Sequence, residues 1–283
     1  MNIMSFNAYF IDKMTVAKND ETVSVDATVQ TRGEKLNALL FGESIDIAGF
    51  QEISIPWLNW LQNGLDGRYG VTGIVSTPSV SQGVYIIYRK DKFDLLDNGG
   101  FWLAEGVPQS AVVGWDGRFE RGCTWALLRC RKSGTYLLAL NTHMDHIGEV
   151  ARSKGAKTIV ECINTLRCKI KGDYGIENCP VVLTGDMNSR PDSEAYAAFT
   201  STLQDSRVCS KGTTVDALLA TSPEMQFYRS EADYLKNGHI IDYVFVSEDV
   251  TVQNYKMIHT ASNLCPYGSY ISDHNAVISQ IMI

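Results

Sequence analysis

Four apolar runs in this chain carry acids, amides or histidine at one end. They are Asp46-Ile47-Ala48-Gly49-Phe50-Gln51-Glu52, Val181-Val182-Leu183-Thr184-Gly185-Asp186-Met187-Asn188, Ile240-Ile241-Asp242-Tyr243-Val244-Phe245-Val246 and Ile271-Ser272-Asp273-His274-Asn275-Ala276-Val277-Ile278. Short apolar runs bounded by turn residues predict buried strands. Successive strand side chains point to opposite faces, so adjacent polar residues share a cleft only at a strand mouth, where the backbone turns.

Further strands are expected over residues 2–8, closing on Asn7, and at Tyr69–Val75, Gly83–Tyr88, Phe93–Trp102, Val250–Ile258 and Asn275–Ile281. The core strands of the apolar runs are Ile45–Phe50, Val181–Thr184 and Ile240–Val246. Thr124–Arg131 and Thr135–Asn141 form a hairpin over Lys132-Ser133-Gly134, the second strand running out at Thr142-His143. A polar loop containing Lys18-Asn19-Asp20-Glu21 follows the first strand.

Thr31-Arg32-Gly33-Glu34 has the spacing of a capping box, opening a helix with Leu36, Leu39 and Leu40 inward to about Glu43. Ser54 and Pro56 start a second helix with Leu58, Leu61 and Leu65 as its inner face. A long amphipathic helix runs from about Glu149 to Ile170, burying Ala156, Ile159, Val160, Ile163 and Leu166. Pro191 and Ser193 open a short helix to about Phe199. Residues 104–120 form a long loop with Trp115 and Phe119, and residues 203–238 have no clear pattern. Runs of strands with helices between them predict an α+β fold: two mixed β-sheets packed face to face, helices outside, one domain over 1–283.

Composition narrows the function. The chain has 283 residues, 45% of them hydrophobic, which is ample for a core. A formal net charge of -7 opposes a nonspecific grip on long nucleic acid and favours a small or short substrate. Seven cysteines, an odd number without a Cys-x-x-Cys pair, point to reduced thiols and a cytoplasmic setting. The N-terminus enters a strand pattern directly, without the pattern of a secretion signal, and no apolar run is long enough to span a bilayer.

Glu52, Asp186, Asp242 and Asp273 gathered in one cleft would repel one another and raise their pKa values. A divalent cation removes that conflict, and oxygen ligands without cysteine favour Mg²⁺ or Mn²⁺ over zinc. Asn7, Asn188, His143 and His274 add partners for phosphate oxygens. Metal, carboxylate and neutral donors together describe phosphoryl-ester hydrolysis.

The segments Met4-Ser5-Phe6-Asn7, Phe50-Gln51-Glu52, Asn141-Thr142-His143, Thr184-Gly185-Asp186-Met187-Asn188, Ile241-Asp242-Tyr243 and Ser272-Asp273-His274 resemble, in order, the motifs of the endonuclease/exonuclease/phosphatase superfamily related to DNase I. The resemblance spans nearly the whole chain. It implies a four-layer αββα sandwich and a Mg²⁺- or Mn²⁺-dependent phosphoesterase acting by direct water attack. In that reading Glu52 binds the metal, with Asp273 beside it. Asn7 holds metal-bound water or phosphate, and Asp186 orients or deprotonates the attacking water. Asn188 and His143 bind the scissile phosphate, and Asp242 pairs with His274, which contacts phosphate or acts as acid and base.

The stretch from Phe101 through Gly114-Trp115-Asp116 to Ala126 resembles a bacterial branch near the deadenylase-like members, where an arginine at the position of Arg121 faces phosphate. Arg121-Gly122-Cys123 departs from that branch's pattern, and His146 matches it. The implied partner is a small phosphorylated molecule or a short nucleic acid, met by a monomer away from membranes. An RNA or single-strand 3′ exonuclease is the alternative within the superfamily. A catalytically silent binding module is the alternative outside enzymology.

Blander readings compete at single residues. A lone acid at a strand end, such as Asp242, is usually a cap or turn residue; the six ordered motifs favour catalysis. His143-x-x-His146 at a strand end has no third ligand nearby in sequence for zinc. His239 and His259 read as surface or structural groups, and Arg190 as a solvated cation near the Asp186 loop. Trp102, Trp115 and Phe119 either stack a ring of the substrate or pack under the long loop. No Walker loop, dinucleotide glycine motif or nucleophile elbow is present.

Overall fold

The structure, a computed structural model, describes residues 1–11, 27–223 and 238–283, together with the backbone of Thr15–Lys18 and Glu21–Ser24. In chain order the elements begin with β1 (Asn2–Asn7), β2 (Thr15–Lys18), β3 (Glu21–Ser24), α1 (Val29–Gly42), β4 (Ile47–Ile53), α2 (Ile55–Asn63) and β5 (Tyr69–Thr77). Next come β6 (Gln82–Arg89), β7 (Phe93–Trp102), β8 (Gly122–Cys130), β9 (Tyr136–His143), α3 (Glu149–Tyr174), β10 (Val181–Asp186) and α4 (Glu194–Thr200). The remainder are β11 (Gln204–Asp205), α5 (Ser206–Cys209), β12 (Thr214–Val215), β13 (Asp242–Val246), β14 (Thr251–Ile258) and β15 (Ala276–Met282).

They build one seven-stranded sheet in the order β12-β14-β15-β1-β4-β6-β5 and one six-stranded sheet in the order β11-β13-β10-β9-β8-β7. Each is mixed, with β1 parallel to β4 in the first and β9 parallel to β10 in the second. The core explains the layering. Strands buried on both faces alternate apolar residues between two neighbours. Ile3, Ile47, Ala139, Val182 and Val244 fill the space between the sheets. Met4, Phe6 and Phe50 face Leu36, Leu39 and Trp57 of α1 and α2. Leu138, Leu140 and Leu183 face Ile159 and Ile163 of α3. Helix, sheet, sheet, helix is the expected four-layer arrangement.

Local differences have local causes. α1 begins three residues before the expected box, because the Thr28 hydroxyl accepts from the backbone N–H of Thr31 and caps the helix there. α2 buries Trp57, Trp60 and Leu61; Leu58 is only partly covered, because two indoles fill the space against the sheet. Val160 of α3 is likewise half-buried, at the edge of its stripe. The loop expected after β1 includes a short antiparallel hairpin, β2–β3; its Asn19-Asp20 part lies outside the described residues. All seven cysteines are free thiols. Among the described residues no helix is long and apolar enough to cross a membrane.

Candidate active site

The parallel pairs β1/β4 and β9/β10 carry their C-terminal ends to one edge of the sandwich, where the two sheets meet through polar side chains. Gln51 Nε2 donates to Asn141 Oδ1 at 2.6 Å, and the Thr184 hydroxyl donates to the same oxygen at 3.1 Å. Asn141 Nδ2 donates to the carbonyls of Phe50 (2.8 Å) and Tyr85 (3.1 Å). Gly49 makes this contact feasible: a Cβ there would overlap Thr184 and Asn141. Buried amides satisfied across the interface fix the relative height of the two sheets, and so of the residues at their mouths.

Asn7, fully buried at the end of β1, spans the centre of that edge. Its Nδ2 donates to Glu52 Oε1 and to Asp186 Oδ2, each at 3.1 Å. Asp186 is the hub. His143 Nε2 lies 3.5 Å and His274 Nε2 3.7 Å from Asp186 Oδ2, and the Asn188 N–H donates to Oδ1 at 2.9 Å. His274 Nδ1 meets Asp242 Oδ2 at 2.9 Å. The Ser272 hydroxyl donates to the Asn7 carbonyl at 2.6 Å and approaches Asp273 Oδ1 at 3.2 Å, tying the Asp273 turn to β1. Asn7, Glu52, His143, Asp186, Asn188, Asp242, Asp273 and His274 therefore meet at one place.

The charges divide the two histidines. Burial lowers His274, but Asp242, Asp186 and Asp273 outweigh it and hold the imidazole well above its ordinary pKa, as an imidazolium. Burial, and then the nearby cations of Arg121 and His274, hold His143 well below, as neutral imidazole. Burial and then Asp242 raise Asp186 to about 6, against the pull of His274 and the N–H groups of Asn188 and Asn7. Burial also raises Asp273 to about 6, with Glu52 adding to it and His274 opposing.

The backbone bends where the chemistry sits. Glu52 has φ 56° and Asn188 φ 45°, left-handed conformations that non-glycine residues adopt at a cost. At Glu52 the cause is a shift in the β4–β6 register between Phe50 and Ile53. Strict alternation would send Gln51 and Glu52 to opposite faces; the kink lets Gln51 stay between the sheets while Glu52 reaches the cleft.

A cleft of about 400 Å³ opens over the cluster, and its lining includes Glu52, Phe119, Arg121, His143, Asn188 and His274. Arg121 is buried 3.8 Å from Asp145, with Phe119 under its guanidinium at 5.9 Å. Phe119 stacks on His146 at 5.7 Å, and Arg121 Nη2 lies 3.3 Å from His146 Nδ1. Of the aromatic candidates Phe119 faces the cleft, whereas Trp115 lies under the ammonium of Lys154. Arg190 turns to His239 at 2.6 Å, and His259 pairs with Asp216 at 2.7 Å.

Oxygen donors dominate the site, and two carboxyls raised to about 6 mark an excess of negative charge that a hard cation would offset. Among the described residues, Asp186, Asp242 and His274 bring ligand atoms within 4.8 Å of one another; Glu52 and Asp273 are not in that group. The imidazolium of His274 is a donor to Asp242, not a metal ligand. The donor set expected from the sequence, Glu52, Asp273 and the amide of Asn7, fits a hard cation by its chemistry.

Two organising residues escaped the motif reading. Arg32, fully buried in α1, donates to the carbonyls of Ala8, Tyr9 (2.9 Å), Ile11 (2.7 Å) and Ile271 (2.7 Å), clamping the segments that carry Asn7 and Asp273. Its signal was a charge four residues before Leu36 on an apolar stripe. Asp145 accepts four backbone N–H groups, those of Arg118 (2.9 Å), Phe119 (3.1 Å), Ile147 (2.9 Å) and Gly148 (2.8 Å). It thereby fastens the loop before β8 to the turn before α3.

The sequence profile described as "Endonuclease/Exonuclease/phosphatase family" matches residues 160–274, which include Asp186, Asn188, Asp242, Asp273 and His274. The RNA exonuclease NGL1 of Saccharomyces cerevisiae is 26% identical over 166 residues, 46% of this chain and 46% of that protein, so the match spans less than half of that relative. Two solved bacterial structures align along the chain. An endonuclease/exonuclease/phosphatase from Bacteroides vulgatus has a TM-score of 0.78 and 26% identity, covering 100% of this chain and 98% of its own. The mannosyl-6-phosphatase of Bacteroides thetaiotaomicron VPI-5482 has a TM-score of 0.78 and 25% identity, with 100% of both chains covered. The human Nocturnin catalytic domain, with bound sulfate, shares the fold at a TM-score of 0.70 and 17% identity, covering 100% of this chain and 94% of its own.

Proposed function

Because the chain belongs to the endonuclease/exonuclease/phosphatase superfamily, we propose that it is a Mg²⁺- or Mn²⁺-dependent phosphoesterase that hydrolyses a small phosphomonoester or phosphodiester by direct attack of water, with no covalent intermediate. The observation that carries this reading is the bridge from Asn7 to Glu52 and Asp186, 3.1 Å to each. It joins the candidate metal ligand to the candidate base through one amide.

Glu52, Asp273 and Asn7 would hold the cation, which when bound neutralises charge on the phosphoryl oxygens. Asp186 aligns the attacking water and accepts its proton; a carboxyl raised to about 6 is a better base than an ordinary aspartate. The Asn188 amide and neutral His143 bind the scissile phosphate. His274, charged and held by Asp242, and Arg121 present positive charge to the oxygens that gain negative charge in the transition state. Metal, base and donors preset in a buried site favour one-step hydrolysis.

A net charge of -7 and a cleft of about 400 Å³ favour a small substrate. Full-length similarity to a mannosyl-6-phosphatase makes sugar phosphates the first to test. Similarity to an RNA exonuclease supports the second reading, a 3′ exonuclease on RNA or single strands; a steep loss of affinity with salt would favour it. A silent binding module accords poorly with a complete set of acids.

The test is turnover of p-nitrophenyl phosphate, bis-p-nitrophenyl phosphate, sugar phosphates and short oligonucleotides. Activity with Mg²⁺ or Mn²⁺ should vanish in EDTA and return when the metal is restored in excess. If no substrate of the panel is turned over in a metal-dependent way, the phosphoesterase reading fails.

A further inference from the structure

A second cleft, of about 510 Å³, lies behind the wall of the first. Its lining includes Arg152, Lys154 and Lys157 of α3, Ser189, and the acids Glu149 and Glu194. The wall itself is thin. Asn188, which lines the first cleft, donates through Nδ2 to the Met144 carbonyl at 3.0 Å. Arg152 Nη1 donates to the Asp145 carbonyl at 3.0 Å. Ser189 is the next residue after Asn188, about 3.8 Å away along the backbone.

Two independent features of this cleft call for an anion. The first is charge. Neither Arg152, Lys154 nor Lys157 pairs with a carboxylate of the described residues: Arg152 holds a backbone carbonyl, and Lys154 sits over the Trp115 ring at 6.0 Å. Lys154 and Lys157 are one helical turn apart, so their charges repel. Glu194 is engaged by the Ser153 hydroxyl at 3.0 Å. The second feature is Ser189. It is only 3% exposed, and its hydroxyl has no partner in the protein. A buried hydroxyl left unpaired costs about 1–3 kcal/mol. Solvated lysines on a helix face account for the first feature and not for the second.

We propose that this cleft is a binding site for a tetrahedral oxyanion of the phosphate class, held by the Ser189 hydroxyl and the cations of α3. Two sources of that anion differ in consequence. One is a second phosphate of the substrate, which rests on the phosphoesterase reading and makes the preferred substrate at least doubly phosphorylated. The other is free inorganic phosphate, which does not depend on that reading.

Lysine footprinting tests the site in the intact protein. Amines are acylated in EDTA, with inorganic phosphate or with sodium chloride at equal ionic strength, and each lysine is quantified by mass spectrometry. Phosphate should slow labelling of Lys154 and Lys157 about threefold or more relative to exposed Lys132, and Ser189→Ala should raise the phosphate concentration required. Protection no greater than that given by chloride overturns the proposal.

The source follows from Lys154→Ala/Lys157→Ala, surface changes that spare the core. A fall of about fivefold or more in the ratio of kcat/KM for a hexose bisphosphate over a hexose monophosphate assigns the anion to the substrate. A ratio held constant alongside protection assigns it to free phosphate. Absence of metal-dependent turnover would remove the catalytic reading and leave the footprint standing.

Discussion

Asp186→Asn is expected to lower kcat by about 10²–10⁴-fold, the usual contribution of a positioned base, while leaving Mn²⁺ affinity within about threefold. The carboxyl is buried among His143, His274, Asn7 and the Asn188 N–H, so it is both oriented and raised to about 6. Asparagine keeps the size and one acceptor and loses the proton acceptor. A second effect follows from the same burial. The folded carboxyl titrates at about 6, above its ordinary value of about 3.9. At pH 7.5 the metal-free fold therefore carries an ionised carboxylate at a cost, and that cost disappears as the pH falls through the folded and then the unfolded pKa. In EDTA the variant should be more stable than the parent by about 1–2 kcal/mol at pH 7.5, with the difference fading toward pH 4. Thermal unfolding across that range reads the effect. An unchanged kcat, or a collapse of Mn²⁺ binding, would remove Asp186 from the role of base.

Glu52→Gln should do the reverse. Losing the charge of a metal ligand should weaken Mn²⁺ binding by about 10–100-fold or more, with turnover partly recovered at high metal concentration. Glutamine is isosteric and still accepts from Asn7, so the strained backbone at φ 56° and the β4 bulge should survive. Titration calorimetry with Mn²⁺ separates the two variants. Equal loss of metal affinity in both would merge the roles assigned here to Glu52 and Asp186.

The layers were legible because the strands are apolar on both faces and α3 keeps a helical stripe over seven turns. Site residues were legible because acids and amides interrupt apolar runs only at their ends. What was not legible depends on tertiary contacts. β13 begins at Asp242 and not Ile240, because the backbone of Ile241 is occupied by the Thr221 hydroxyl (2.9 Å) and the Met187 N–H (2.7 Å). The kink that delivers Glu52 is a register shift against β6, set by pairing and not by any local turn residue. Arg32 reads as a surface charge until Ala8, Tyr9, Ile11 and Ile271 are seen around it. The cations of α3 look like a solvated face until Ser189 is found beside them.

The central claim is that residues from both sheets gather around one hard cation and leave space beside it for a phosphate. Anomalous diffraction at the manganese edge, from crystals grown with Mn²⁺, tests it most directly. The account predicts a peak bonded to the Glu52 carboxylate at about 2.2 Å, on the Asp273 side of the Asn7 amide, with Asp186 facing the open coordination side. A peak held by Asp186, Asp242 and His274 with Glu52 unbound would contradict it.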